Sequence, residues 1–461
     1  MDPDRSFPGA RRLFYWIQCR LNHQPRLLRL GGKLLRRWPG LAPSGAVIAR
    51  ARAIEGMLLQ PQVYLNSAHA HNGVAGEFLI NMAFDKRYLD DKKLFRAVLP
   101  SPSLLGELSA DHAKQRSQLL VPGLRVGFDL VNDYLIWVVH HAMRSAFGAA
   151  ATTIETGALG LASDEAAQRR YLYELRQVAA QLFAGASSPI DVRQGALACS
   201  QSLQQRIDLA LPQIEQVWRE RLDSPPGDEA ALQPAAAATS PPASAAATDF
   251  TALLNDRDTV RRTALGLSWV SFPVTVQAAC LIVRELLARP AVYLALREQA
   301  AALGEQMWSD RAFRATVRDH LVELMRFRPV FPLLPRAVPR PMLFDTGANK
   351  LASARAGQSM LAFALAGLFD ERVVAQPQAF CPFRPADASG EQANAWRDDS
   401  LRYLMFGSGD RACPGKEQAI EILISAMLGI LSLAPLTWAD TWGRRIGYDG
   451  PMVTRMRLKQ R

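Results

Sequence analysis

The segment that decides the fold is "YLMFGSGDRACPGKEQA", residues Tyr403–Ala419. It sets Cys413 in a loop with three glycines, a proline and an arginine, directly before an apolar helical pattern. The chain holds 5 cysteines among its 461 residues, and none of them forms a C-x-x-C pair. This spacing argues against a disulfide framework or a structural zinc site and fits a reducing, cytoplasmic setting. A nucleophile, a single metal ligand and a buried thiol remain open for Cys413.

The loop fits the pattern F-x-x-G-x-R-x-C-x-G from Phe406 to Gly415. Its glycines, Gly407 among them, let the backbone approach a flat ligand closely. A helix that begins after Gly415 would bring its positive end to the sulfur and favour a thiolate. A thiolate held in this way is an axial ligand for haem iron. Arg411 is then placed to meet a haem propionate, and Phe406 to keep water from the sulfur.

This loop resembles the haem-binding loop of the cytochrome P450 family. The resemblance implies a mainly α fold, with a large helical domain and small β-sheets, that binds haem b (iron protoporphyrin IX) with Cys413 on the iron. The matching patterns run from about Gly106 to Leu431, so we expect residues 1–461 to form one such domain.

A second pattern, Glu323-Leu324-Met325-Arg326, lies about ninety residues before Cys413. On its own, E-x-x-R predicts only an ion pair between residues three apart on a helix. The resemblance gives it a structural role, in which Glu323 and Arg326 lock an irregular segment near the haem. Arg384, in "FCPFR", is the candidate third member of this set.

A third pattern, His112-x-x-x-Arg116, puts two polar residues on one helix face. An isolated histidine is usually a core or surface residue. The resemblance implies that His112 and Arg116 bind a haem propionate, together with Arg336 of "LLPRAV" and Arg411. Buried carboxylates require such paired charges.

The sequence departs from the family in the helix that crosses the distal face of the haem. The family carries an acid and an alcohol there, which organise proton delivery during dioxygen activation. Counting back from "RELLARP" places Pro273 at the acid position and Val274 at the alcohol position, and Thr275 follows one residue later. Proton transfer would then need ordered water, a substrate group or Thr275. Two explanations stay open, namely water-mediated use of dioxygen, or peroxide-using or oxygen-independent chemistry.

Trp269, Phe272 and Val274 on this helix predict an apolar substrate pocket. The segment Gly76–Pro100 is expected to form part of the roof over the substrate. Apolar spacing predicts further helices through most of the chain. These predicted helices are 129–148, 164–185, 191–222 with a kink or division at its proline, 258–290 and 309–330. The segments "FPLLPRAVPRPMLF" and "SMLAFALAG" predict short strands.

Residues 223–248 are rich in Ala, Pro and Ser and contain almost no large apolar side chains. Such a segment cannot bury enough surface to offset its ordering entropy, so we expect a flexible insertion within the domain. The Arg-rich N-terminus lacks the pattern of a secretory signal, and no uninterrupted apolar run approaches the length of a spanning helix. A solvated face packed on the domain is the favoured interpretation of the N-terminus, and peripheral membrane contact is the alternative.

The formal net charge is +11. The basic residues are dispersed and mostly Arg, without the aromatic interleaving or motifs of a nucleic-acid binder. A basic surface also suits an acidic ferredoxin or flavodoxin-type redox partner near Lys416 and Arg411. The expected function is monooxygenase-type oxidation of an apolar small molecule, such as a secondary metabolite or a lipid. A non-catalytic recruitment domain is a rival, but such a scaffold has no need of Cys413 and Arg411.

Overall fold

The computed structural model describes residues 24–37, 47–60, 74, 76–184, 190–223, 250–345, 351–384, 399–440 and 446–461. Apart from Asp223, which ends a helix, the predicted insertion at 223–248 lies outside these ranges, as do residues 1–23 of the N-terminus. All helices, strands and sheets are those of the described residues.

Helices make up most of the structure. The α-helices, in chain order, are α1 Pro25–Arg37, α2 Ala51–Leu58, α3 Lys86–Val98, α4 Pro102–Leu120, α5 Ile136–Arg144, α6 Ala150–Thr156, α7 Glu165–Ala184, α8 Ile190–Asp223, α9 Phe250–Asn255, α10 Arg257–Gly266, α11 Phe272–Leu287, α12 Pro290–Leu303, α13 Arg311–Phe327, α14 Ala364–Gly367, α15 Asp399–Arg402 and α16 Lys416–Ser432. The strands are β1 Val47–Ile48, β2 Phe128–Asp129, β3 Leu334–Ala337, β4 Met342–Asp345, β5 Leu351–Ala354, β6 Ser359–Ala362, β7 Leu436–Trp438, β8 Ile446–Asp449 and β9 Met452–Gln460.

The strands form three small sheets. One sheet has the order β1-β6-β3, a second has β2-β9-β7 with β8 also paired to β9, and β4 pairs with β5. The predicted class, mainly α with a small β portion, is confirmed. The prediction for "SMLAFALAG" is half right, because the strand ends at Ala362 and a short helix begins at Ala364.

The proline at position 212 neither divides nor ends α8. This helix runs without a break from Ile190 to Asp223 with Pro212 inside it. A proline removes one helical hydrogen bond, but the buried side chains on both sides, Leu211 and Ile214, keep the helix packed on the core. Division of the helix was therefore a wrong expectation.

The long distal helix, Arg257–Leu287, in contrast, changes from α-helical to π-helical geometry and back. Residues Leu267–Ser271 form a π-helical turn between α10 and α11, and Pro273 lies in the first turn of α11. Pro273 has no backbone N–H to donate to a carbonyl in the preceding turn, which removes an α-helical hydrogen bond at this place. A single π-turn inside an α-helix is the common way to accommodate such a defect.

The helix after Cys413, α16, is held in the centre of the molecule by close packing. The Tyr134 hydroxyl donates to the carbonyl oxygen of Ala426 at 2.9 Å. A Cβ on Gly429 would lie 1.9 Å from that hydroxyl oxygen, so only glycine fits there. This contact fixes the position of α16, which begins directly after the cysteine loop.

One helical run in the described part of the chain, Arg257–Leu287, is long and apolar enough to cross a membrane by length and composition. Its most apolar window is 83% buried inside the protein. It is the central core helix of the fold.

Candidate haem-binding site

The loop around Cys413 is a tight turn closed by a backbone hydrogen bond. The Cys413 N–H donates to the carbonyl oxygen of Phe406 at 2.8 Å. Gly407 and Gly409 have φ values of +80° and +65°, which side-chain-bearing residues adopt only with strain. Helix α16 begins directly after Gly415, as the sequence predicts.

The environment of the Cys413 thiol combines burial with positive charge. Burial raises its pKa, while the backbone N–H of Gly415 and the charges of Lys92, Lys416 and Arg96 act to lower it. Part of the surface of Cys413 nevertheless remains exposed. The protein therefore packs around the residue but leaves one side of it accessible. This combination leaves the thiol open to a ligand on one side.

Helix α3 supplies most of the positive charge beside the cysteine. The Tyr88 hydroxyl donates to the carbonyl oxygen of Asp410 at 2.9 Å, and the Lys92 ammonium donates to the same oxygen. Burial, and then repulsion from Arg96, lower the pKa of Lys92 to about 8. Tyr88, Lys92 and Arg96 follow each other at four-residue spacing, so one helix face lies against the cysteine loop.

Two further arginines complete the cluster. Arg411 donates to the carbonyl oxygen of Met82 at 2.9 Å, and its guanidinium carbon lies 4.5 Å from the ring centroid of Tyr88. Arg336 donates to the carbonyl oxygen of Pro335 at 2.8 Å. Burial, and then the charge of Arg411, lower the pKa of Arg336 to about 10.

This cluster fits a haem group by the chemistry of its donors. The buried Nε of Arg411 has no hydrogen-bond partner in the described structure. Lys92, Arg336 and Arg411 therefore bring several cations together at one place, where two carboxylates of a ligand would balance them. The single thiol of Cys413 lies beside these cations, and no group of three or more His, Cys, Asp or Glu in the described ranges could hold a metal ion.

The structure does not bring His112 and Arg116 into this cluster. The ring of His112 stacks on His141 at 4.3 Å, and the guanidinium of Arg116 lies 4.5 Å from the ring centroid of Trp137. Burial, and then His141, lower the pKa of His112 to about 4, which leaves it a neutral packing residue. In the structure α4 places both side chains against α5, so the propionate role of this pair stays a prediction that their contacts do not support.

The residues that the sequence analysis missed are Tyr88, Lys92 and Arg96. They lie inside Gly76–Pro100, the segment expected to form the substrate roof. The sequence does carry a sign of this face, because a polar or basic residue stands at every fourth position of the segment. The H-x-x-x-R pattern of the next helix, however, resembles the family's propionate-binding pattern more closely. Only part of this segment turns to the distal side, where Phe78 packs edge-on against Trp269 at 6.1 Å.

Glu323, Arg326 and Arg384 meet as the sequence analysis expected. Arg326 donates to both carboxylate oxygens of Glu323, at 2.8 and 2.9 Å, and Arg384 donates to the same carboxylate at 3.1 Å. The backbone N–H of Cys381 donates to Glu323 at 2.9 Å. Burial acts to raise the pKa of Glu323, but Arg326 and its other partners hold it below the ordinary value.

Arg326 also fixes the chain segment that follows α14. Its guanidinium donates to the carbonyl oxygens of Leu368, Pro377 and Ala379 at 2.9–3.2 Å. One fully buried side chain thus satisfies three backbone carbonyls in an irregular segment, which supports the structural role expected for this set.

On the distal helix, the hydroxyl of Thr275 is already used within the helix. Thr275 is buried, and its Oγ1 donates to the carbonyl oxygen of Ser271 at 2.6 Å. Such back-bonding occupies the only proton of the hydroxyl. Thr275 is therefore poorly placed to hand a proton to a ligand while this bond is made.

Pro273, which the sequence count put at the acid position, faces another part of the molecule. It lines a cavity with Phe272 and Val276 of the same helix, Arg169 of α7 and Val453 of β9. The placement of Pro273 at the acid position stays a prediction, and the π-turn just before it shifts the helix faces on which such a count depends.

The predicted substrate-pocket residues are not equivalent. Trp269 is fully buried, and Phe272 packs edge-on against His140 at 6.2 Å. Val274, half-buried, lies about 100° round the helix from Pro273. Of the three, Phe272 lines two cavities, whereas Val274 is half-buried and Trp269 is fully buried.

A buried acid does lie beside the distal helix, although not on it. The carboxylate of Glu155 is 3.0 Å from both His140 Nε2 and Arg144 Nε. Glu155 lines one small cavity together with Ser268 of the π-turn. Burial acts to raise the pKa of Glu155, but His140 and its other partners lower it, so the group is an anion at neutral pH.

Comparison with known proteins agrees with this fold and loop. Residues 256–432 match the family model described as Cytochrome P450. The structure of CalO2 superposes with a TM-score of 0.66 at 15% identity, covering 95% of this chain and 97% of that one. HmtN, described as a post-tailoring hydroxylase involved in himastatin biosynthesis, gives a TM-score of 0.58 at 15% identity over 90% of each chain.

A curated relative, cytochrome P450 monooxygenase fumoB of Cordyceps fumosorosea, is 30% identical over 158 residues. The aligned part is 32% of this chain and 28% of the relative. The segment that the family model matches, residues 256–432, holds Glu323, Arg326 and Cys413 of the patterns that carry the resemblance. The resemblance to the cytochrome P450 family is therefore confirmed over this segment, and the fold is the one that these solved structures share.

Proposed function

We propose that this protein is a haem-thiolate oxidoreductase that oxidises an apolar small molecule in a monooxygenase-type reaction. The oxidant would be dioxygen, with electrons from a separate redox partner. The observation that carries the proposal is a cluster from three parts of the chain, in which Lys92 lies near both Cys413 and Arg411, and Arg411 lies near Arg336. Cations gathered beside a single open thiol are what a haem with two propionates requires.

The residues of this chain would bind and orient the group. Gly415 and the first turn of α16 would stabilise the Cys413 thiolate, and Lys92, Arg336 and Arg411 would pair with the propionates. Haem held by these residues, with the Cys413 thiolate as its ligand, would supply the oxidising chemistry. Phe406, half-buried beside the cysteine, would limit access of water.

The proposed class of substrate is supported by the apolar side chains of the distal helix. Trp269 and Val274 make the described part of the distal helix apolar, which suits a lipid-like or aromatic compound. HmtN, which shares the fold, is described as a tailoring hydroxylase. These observations favour a secondary metabolite or a lipid as the substrate.

Electrons would come from an acidic ferredoxin or flavodoxin-type protein. The chain has a net charge of +11, and Lys416 keeps part of its surface exposed next to the cysteine loop. Charge complementarity of this kind speeds association and is screened by salt. A cytoplasmic location is proposed with it, because such partners work there.

A second candidate function is favoured by the distal helix. The Thr275 hydroxyl donates its proton to the Ser271 carbonyl oxygen, and the nearby acid Glu155 is paired with His140 and Arg144. A peroxide-using or oxygen-independent reaction, such as an isomerisation or a dehydration, needs no acid–alcohol pair on this helix. The two candidates differ in the oxidant they consume.

The test is a turnover comparison on one candidate substrate. It is run with reductase, ferredoxin and dioxygen, with hydrogen peroxide alone, and without oxygen on a substrate that bears an N–O or O–O bond. Product only in the first condition supports the monooxygenase. Product in the second or third condition alone supports the other candidate, and an organic ligand that never changes the haem spectrum contradicts both.

A further inference from the structure

A cavity of about 550 Å³ lies between α1, the end of α11 and α13. Four arginines line it, namely Arg26, Arg29, Arg284 and Arg289, together with one carboxylate, Glu285. Its lining shares no residue with the cluster around Cys413. Its volume falls within the roughly 300–1,000 Å³ range of small-molecule sites.

Glu285 cannot balance the charge of this cavity, because its oxygens already serve other guanidinium groups. One oxygen is 2.6 Å from Arg284 NH1, and the other is 2.9 Å from Arg289 NH1. Arg328 approaches the first oxygen at 3.5 Å. Three arginines thus share the single negative charge of Glu285. Arg26 and Arg29 add two further positive charges to the cavity.

Arg29 of α1 brings a further positive charge to this cavity. In the described residues it makes no hydrogen bond or ion pair, and its guanidinium lies over the rings of Phe369 and Phe327, at 5.0 and 5.4 Å. Burial lowers its pKa, the charge of Glu285 acts to raise it, and Arg289 and Arg26 lower it further. These like charges lie close enough to repel each other, which an anion between them would relieve.

Aromatic rings pack against two of these guanidinium groups, those of Arg29 and Arg289. Arg289 stacks over Phe327 and Phe380, at 4.4 and 4.8 Å, and Phe327 thus carries Arg29 and Arg289 on its ring. A planar guanidinium that is held in place binds phosphate oxygens through two parallel hydrogen bonds. We propose that this arginine cavity is a binding site for a phosphate-bearing anion.

Such an anion could be a soluble phosphate ester or the headgroup of an anionic lipid. Helix α1, which supplies Arg26 and Arg29, exposes Leu27, Leu30 and Leu34 to solvent. Leucines and basic residues side by side on one helix are typical of helices that lie on an anionic membrane. The chemistry of the site is the same in both cases, and the experiment distinguishes the sources.

The experiment uses the full-length, haem-loaded protein. Inorganic pyrophosphate is titrated calorimetrically at low salt, and co-sedimentation is measured with phosphatidylcholine vesicles that contain phosphatidic acid. The test variant is Arg26→Gln with Arg29→Gln. The control is Lys33→Gln with Arg37→Gln, which removes the same charge from the same helix but does not touch the cavity.

For a soluble anion, the wild type and the control bind pyrophosphate alike. The test variant then binds it about tenfold more weakly or worse, a loss of about 1.4 kcal/mol. If the natural ligand is a lipid headgroup, pyrophosphate binds to none of the three proteins. Only the test variant then fails to co-sediment with the vesicles. No binding of either probe, or equal losses in both variants, overturns the proposal. Arg26→Glu, which changes an exposed side chain, decides the matter in the same assays if the double variant does not fold.

Discussion

Lys92 of α3 donates a hydrogen bond to the carbonyl oxygen of Asp410, three residues before Cys413. Tyr88 donates to the same oxygen. One backbone carbonyl of the cysteine loop is therefore held by two side chains of a helix that is more than 300 residues away in the sequence. The position of the thiol depends on this long-range contact.

Replacing Lys92 with methionine should weaken haem binding. The variant loses a cation beside the expected propionates and a bond to the cysteine loop. Loss of one charge-assisted hydrogen bond, about 1.5–3 kcal/mol, corresponds to roughly 10- to 100-fold in affinity. Transfer of haem to apomyoglobin measures this loss. The neighbouring exposed Lys93 provides the control, and Lys93→Met should retain haem normally. His112→Gln should also retain haem. Haem loss in that variant would support His112 as a propionate-binding residue.

Changing Cys413 to serine should abolish thiolate ligation. The hydroxyl of serine does not ionise at neutral pH, so the carbon monoxide complex should lose the red-displaced band that reports a thiolate ligand. The spectrum is recorded on reduced protein reconstituted with haem. Cys199→Ser, on α8, should leave the band in place, and an unchanged band in the Cys413 variant would show that another residue holds the iron.

Replacing Thr275 with valine should affect stability more than chemistry. The variant loses the bond to Ser271, which is worth about 0.5–1.5 kcal/mol of unfolding free energy. The ratio of product formed to dioxygen consumed should stay near the wild-type value. A collapse of this ratio in Thr275→Val, with recovery in Thr275→Ser, would instead make the hydroxyl part of proton delivery.

Replacing Glu323 with glutamine should destabilise the fold strongly. Loss of one partner of a buried ion pair costs about 3–5 kcal/mol, whereas Glu421→Gln, which breaks a more exposed pair with Arg314, should cost about 0–1 kcal/mol. Both values come from urea unfolding at neutral pH. Equal losses in the two variants would remove the structural role assigned to Glu323.

The same pair predicts a dependence on pH. Arg326 holds the pKa of Glu323 in the folded protein below its ordinary value of 4.5. The pair therefore stabilises the fold fully above that value, and this contribution is lost as pH falls through the lower, folded pKa. Urea midpoints measured between pH 7 and pH 3 should fall more steeply for the wild type than for Glu323→Gln.

The cysteine loop and the Glu323–Arg326 pair could be predicted because each depends on residues close together in the sequence. A loop of ten residues with three glycines around Cys413 has few conformations, and an i,i+3 pair meets on any helix. The partners Lys92 and Tyr88 could not be found in this way. Their role depends on which helix face meets the loop, and His112 and Arg116 offered the same spacing one helix later.

The π-turn at Leu267–Ser271 bears on how this chain is aligned with others of its fold. A π-turn holds one residue more than an α-helical turn. An ungapped alignment with a relative whose helix is regularly α-helical here would therefore be one residue out of register on one side of the turn. A search for the missing acid or alcohol by position number, here or in engineered variants, should place a one-residue gap within 267–271 before it compares side chains.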